Sequence, residues 1–243
     1  MIIQPFSLAT LKQALVEGWR MANATRVVSV VYSLIFVLGG VLIIGGLLAQ
    51  GLTPFVIAAA GAFMLVGPVI LAGFFGIAQA FESGEVVTPR AVIAGFRHAA
   101  GALWALSLVC GLLFMIFVTD AAILYAYMVG GAPIWLVDLL PAAMNVVKFV
   151  KWAGVSGFVV AFLLFGISAF SVPLLCERRT GLVGAVVISV RVVFGNFLVA
   201  IFWAFLLSTV TIASVLLLPL LPLTLPWLAY ASRALYRQVL PTA

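Results

Sequence analysis

VVSVVYSLIFVLGGVLIIGGLLA, residues Val27–Ala49, contains no charged side chain and decides the class of the chain. A helix needs about 20 apolar residues to cross roughly 30 Å of hydrocarbon, and this stretch supplies them. Lipid offers no partner to exposed backbone groups, so such a segment reads as a helix with its own internal hydrogen bonds. Working outward, five further stretches reach or approach the same length: Pro54–Phe81, Ala102–Tyr127, Trp152–Leu175, Phe197–Leu218 and Leu220–Leu235. The expected fold is all-α, one polytopic domain over residues 1–243 with six transmembrane helices.

Composition agrees. The chain is 66% hydrophobic and 7% charged, with a mean hydropathy of +1.37, whereas an ordinary soluble domain is about 25% charged. The formal net charge of +6 does not point to nucleic acid, because the basic residues are scattered at span ends and not gathered on one soluble face. Alternating the spans places Lys12, Arg20, Arg26, Arg90, Arg97, Arg178, Arg179, Arg191, Arg233 and Arg237 on one side, and only Lys148 and Lys151 on the other. Positive residues mark the cytoplasmic side, so both termini are expected there. The first apolar run begins at Val27 and lacks a small-x-small cleavage site, so the first span is expected to be retained.

The chain reads as three copies of one unit, a short amphipathic helix followed by a transmembrane hairpin, over about 6–81, 88–175 and 180–238. The amphipathic helices are predicted to open at Thr10 (TLKQALVEGWRMAN), Thr88 (TPRAVIAGFRHAAG) and Thr180 (TGLVGAVVISVRVVFGN). A threonine hydroxyl can accept from an orphan backbone N–H at a helix start, and Pro89 at the first helical position loses no bond. Each copy then carries an arginine (Arg20, Arg97, Arg191) and a breaking residue (Asn23, Gly101, Asn196). In the first copy Leu8, Leu11, Leu15 and Trp19 share a helical face, which predicts a helix lying in the headgroup interface. These helices either cap the bundle or form a docking surface. The long segment Met128–Lys151, on the side opposite the arginines, is expected to hold a short surface helix at Ile134–Leu140.

Reactive constellations are absent from the sequence. His98 is the one histidine, and Cys110 and Cys176 lie on different spans, so no set of ligands for a metal or haem is assembled. No nucleophile elbow or phosphate loop occurs. No catalytic, cofactor-binding or metal-binding residue is predicted. Ser168 and Ser171 are expected to bond back to their own helix, and Gly39-Gly40, Gly45-Gly46, Gly154 and Gly157 to permit close helix packing. The candidate functional residues are few. Asp120 lies late in span 3, inside the outer leaflet or at its edge, with Lys148 or Lys151 as its expected partner. Gly67-Pro68 interrupts span 2, as Pro173 does span 4 and Pro222 and Pro226 do span 6, a device that transporters use at substrate sites. Arg97, Arg178 and Arg179 are the expected headgroup contacts.

Two stretches carry a family resemblance. One is GPVILAGFFGIAQAFESGEVVTPRAVIAGFRH, Gly67–His98. The other is AFSVPLLCERRTGLVGAVVISVRVVFGNFLVAIFWAFLL, Ala169–Leu207, continued by ALYRQ near the C-terminus. Together they resemble a bacterial family of integral membrane proteins catalogued as domain of unknown function 2189. At Cys176-Glu177-Arg178-Arg179 the chain departs from the acidic or mixed sequence usual there, so no role is carried over to that turn. The resemblance implies the multi-pass topology and a bacterial inner membrane, and it brings no reaction or cofactor.

The expected function is that of a non-catalytic accessory or structural subunit, set among membrane lipids and bound to another membrane protein or to copies of itself. The alternatives are a small-solute permease or channel, for which the kinked spans and Asp120 speak, and a lipid-interacting protein.

Overall fold

Every regular element among the described residues is helical, as a chain with this share of apolar side chains requires when water cannot satisfy its backbone. The computed structural model describes residues 4, 7–53, 55–56, 59, 67–99, 101–130 and 144–241. In chain order the helices are α1 (Leu8–Ala24), α2 (Arg26–Ala49), α3 (Gly67–Glu82), α4 (Pro89–His98), α5 (Gly101–Val129), α6 (Met144–Ser168), α7 (Ser171–Cys176), α8 (Leu182–Gly195), α9 (Phe197–Leu216) and α10 (Leu221–Val239). The expected surface helix at Ile134–Leu140 lies outside the described residues.

Four helical stretches are long and apolar enough to cross a membrane: Arg26–Ala49, Gly101–Val129, Met144–Cys176 and Phe197–Leu216. The two remaining expected spans differ for separate reasons. The described part of α3 is 16 residues long, and most of what precedes it lies outside the described set, including the residues that decide whether Gly67-Pro68 kinks a longer helix. Helix α10 has 19 residues, but its second half carries Ser232, Arg233, Arg237 and Gln238, which lower its apolar character.

That polarity has a packing reason. Helix α10 is the central element, lying against α1, α2, α3 and α9. Its buried positions, among them Leu228, Ala229, Tyr230, Ala231, Arg233, Leu235 and Tyr236, go round much of the helix. Helix α1 packs along it. The buried face of α1 is Leu11, Ala14, Gly18 and Ala22, while Leu8 and Trp19 are 60% and 48% exposed. The apolar face expected from Leu8, Leu11, Leu15 and Trp19 is thus rotated toward small residues. The cause is a close crossing: a Cβ on Gly18 would lie 2.7 Å from Ala231 Cα, so only glycine lets the backbones meet there. Trp227 completes the contact, its Nε1–H donating to the Leu15 carbonyl at 2.9 Å. At the α1–α2 junction, Ser29 and Thr25 hydroxyls lie 2.7 Å and 3.2 Å from the Tyr230 hydroxyl, in a buried cluster.

A second close crossing joins α3 to α4. A Cβ on Gly95 would strike the Ala72 carbonyl and come within 2.9 Å of Gly76 Cα. Among the glycines singled out from sequence, Gly40 and Gly157 do meet neighbours (Leu218 and Phe117), whereas Gly39, Gly45, Gly46 and Gly154 face open space.

Helix starts follow local chemistry. Ser7, not Thr10, caps α1, with Thr10 answering it in a capping box. Thr88 and Pro89 open α4 at the expected positions, but the Thr88 hydroxyl makes no capping bond. Gly181 precedes α8 where Thr180 was expected. Helix α1 ends one residue past Asn23, Gly101 begins α5, and Asn196 terminates α8.

Span 4 is broken into α6 and α7, and the break is stabilised by a side chain. Ser189 donates to the Gly166 carbonyl at 2.7 Å and accepts from Phe170 N–H at 3.2 Å. Its hydroxyl stands where the direct Phe170-to-Gly166 helical bond would be. Ser168 and Ser171 donate back to the carbonyls of Leu164 and Ile167, as their sequence setting predicts.

Candidate functional site

Charged side chains converge at the arginine-rich end of the bundle. Helix α3 delivers Glu82 in its last turn, and α10 places Arg233 and Arg237 beside it. Arg233 makes a two-pronged contact with Glu82, at 2.5 Å and 2.9 Å, and Arg237 Nη1 adds a bond at 2.9 Å. Arg233 is buried and lies over the Phe75 ring. Such parallel guanidinium–carboxylate bonds fix geometry as well as charge. Burial alone would raise the Glu82 carboxyl, but the hydrogen bonds and charges of Arg233 and Arg237 outweigh it and hold the group below its usual value.

The turn after α7 adds the second half. Arg178 takes a positive φ of 52°, which aims consecutive arginines at different helix ends. Arg178 Nε donates to the His98 carbonyl at 2.7 Å, and Nη2 reaches the Arg97 carbonyl at 3.5 Å. Both carbonyls belong to the C-terminus of α4, where a cation complements the helix dipole. Arg179 does the same for α10, donating to the Leu240 carbonyl at 2.6 Å and the Pro241 carbonyl at 3.1 Å. It also donates to the Tyr236 hydroxyl at 2.9 Å, and that hydroxyl donates to Glu177 at 2.9 Å. Burial pushes the Tyr236 phenol well above its ordinary value. Glu177 lies 3.6 Å from Arg237 Nε, and Gln238 reaches Glu17 of α1 at 3.3 Å. Of these groups Glu177, Arg179, Arg233 and Arg237 line a cavity of about 530 Å³ between α3, α4, the Glu177–Arg179 turn and α10. Its guanidiniums already hold two carboxylates and two helix C-termini. Chemically the arrangement is a clasp.

A second cavity, about 980 Å³, lies in the apolar layer between α5, α6, α9 and α10. Phe117, Phe158, Phe162, Phe165 and Trp203 line it, with the hydroxyls of Ser168, Ser208 and Thr211. Pro68 is buried against this cavity; the side-chain environment of Gly67 lies outside the described set.

The expected site residues are not brought together. Arg178 and Arg179 are at the clasp, and Arg97 contributes only its carbonyl, its side chain being exposed. Arg178 and Arg179 donate to carbonyls at helix ends. Asp120 lies elsewhere, exposed on α5, and accepts a hydrogen bond from Ser156 at 2.6 Å. The expected lysine contact is not formed, because Lys148 and Lys151 are displaced around α6. Glu82, Glu177, Arg233, Arg237 and Tyr236 were not singled out from sequence. The signal was present in FESGE and ALYRQ, where charges sit at the very ends of apolar runs.

A family model described as predicted integral membrane protein (DUF2189) matches residues 55–177, from before α3 to the glutamate of the clasp. Searches of curated proteins and of solved structures gave no match.

Proposed function

The chain belongs to this family of integral membrane proteins, DUF2189, and we propose that it is a non-catalytic accessory or structural subunit of a bacterial inner membrane. It crosses the bilayer six times as three helix-plus-hairpin units (about 6–81, 88–175 and 180–238), with both termini and the arginine-rich end in the cytoplasm. Its partner is another membrane protein or further copies of itself. The observation that carries this reading is the clasp. Arg178, Arg179 and Arg233 are held by carbonyls or by Glu82, so the densest charge on the protein serves to join α3, α4 and α10. A reactive site needs groups poised toward a substrate, and here the charges are turned on one another.

The 980 Å³ apolar cavity favours a second reading, a permease or channel for a small apolar solute. A lipid-interacting role has less support, since Arg178 and Arg179 are occupied at helix ends.

The test is gentle extraction from native membranes followed by mass spectrometry of what co-migrates. The subunit reading expects a stoichiometric membrane protein or a defined oligomer. It fails if the chain runs as a lone monomer and its deletion leaves every membrane complex intact. Solute flux through liposomes containing the purified chain alone would instead select the permease.

A further inference from the structure

Among the described residues Asp120 is the one acid on α5 and α6, and it is exposed at the edge of the hairpin those helices form. It lies nine residues before the end of α5 at Val129, which is about 13 Å along the helix axis. Its hydrogen bond comes from Ser156, a neutral hydroxyl. A carboxylate at that depth in an apolar surface calls for a cation. Two cations are close in sequence and exposed on the same hairpin, Lys148 and Lys151, and neither makes an ion pair among the described residues.

Helix geometry explains why they do not pair within the chain. Lys151 is five residues from Ser156, so it stands about 140° around α6 from the hydroxyl that Asp120 meets. It points away from its own Asp120. We propose that the outer face of α5 and α6 is where two copies of the chain meet, each Asp120 pairing with Lys151 of the other about a two-fold axis along the membrane normal. A two-fold operation makes both pairs at once, because an isologous contact sets residue i on j and j on i. Ile116, Ile123, Val155 and Val159 are all more than half exposed on this face. In a bilayer such side chains gain from packing and from interhelical polar bonds, not from leaving water.

The inference gives the homo-oligomeric form of the proposed function a surface. It is tested with the full-length chain in liposomes, counting subunits by single-molecule photobleaching as the chain is diluted in lipid. Wild type is expected to dimerise. Asp120→Asn and Lys151→Gln each weaken the dimer about tenfold, and the exchange of charges in Asp120→Lys with Lys151→Asp restores it. Monomers at every density, or dimers untouched by both single changes, overturn the proposal. Should the charge exchange fail to fold, Val155→Cys gives an independent reading. Cys110 and Cys176 are buried, so oxidative cross-linking reports on the new thiol, and a dimer that does not cross-link there overturns the assigned face. A chain that is monomeric yet co-migrates with a different membrane protein ends this inference and leaves the accessory reading standing.

Discussion

Glu82 accepts from Arg233 and Arg237 at 2.9 Å each, in addition to the shorter Arg233 bond. Removing one guanidinium therefore does more than delete a surface contact. Arg233→Gln leaves a half-buried carboxylate with one cation, and it is expected to lower stability by about 1–3 kcal/mol, read as a fall in thermal midpoint of the purified protein. The effect is expected to vanish largely in a Glu82→Gln background, since a double-mutant cycle isolates the pair. The pH dependence has a definite sign. The Glu82 carboxyl is held below its ordinary value, so its contribution to stability is complete above the usual glutamate range. It is lost as the pH falls from that range through the lower folded value. Glu82→Gln is accordingly expected to be less stable than wild type near neutral pH and to lose stability less steeply with acid, the two converging at low pH, when unfolding is followed by tryptophan fluorescence. None of this was legible as a site in the sequence. A glutamate ending α3 and an arginine 151 positions later are joined only by the packing of α10.

Elements were better announced than their faces. Helix α2 and helix α9 fall within a few residues of the expected spans because an uninterrupted apolar run has one solution in lipid. The buried face of α1 is not the one its large apolar residues predict. A glycine–alanine crossing outweighed them, and its signal, Ala14-x-x-x-Gly18-x-x-x-Ala22, is a spacing of small residues at four-residue steps. At the Gly76–Gly95 crossing, Gly95→Ala is expected to force α4 off α3 and cost roughly 2–3 kcal/mol. Gly39→Ala, with nothing near its Cβ, is expected to be neutral or slightly stabilising through helix propensity. Thermal unfolding of both variants side by side checks the contrast. The break between α6 and α7 offers a third case. Ser189→Ala removes the hydroxyl that serves both Gly166 and Phe170, and about 1–2 kcal/mol is expected to go with it. Proline at position 173 hinted at an interruption of span 4, but nothing local named the serine on α8 that completes it.

At the scale of the molecule, α10 organises the fold. It touches α1 and α2 from the start of the chain, α3 from the middle and α9 beside it, so the first and last units close on each other. The sequence made the membrane class plain through composition alone. It did not show closure, because contacts such as Tyr230 with Ser29 span 201 positions. The proposed six-span topology requires α3 and α10 to cross the bilayer along with the four stretches long enough to do so by themselves. Single cysteines at Ser7, Gln50, Ser83, Asn145, Gly181, Leu217 and Pro241 test it with a membrane-impermeant thiol reagent, the native Cys110 and Cys176 being buried. Positions 50, 145 and 217 are expected to react in intact cells, and 7, 83, 181 and 241 only once the cytoplasmic face is opened. Reaction of Ser83→Cys or Pro241→Cys from the same side as Gln50→Cys would contradict it.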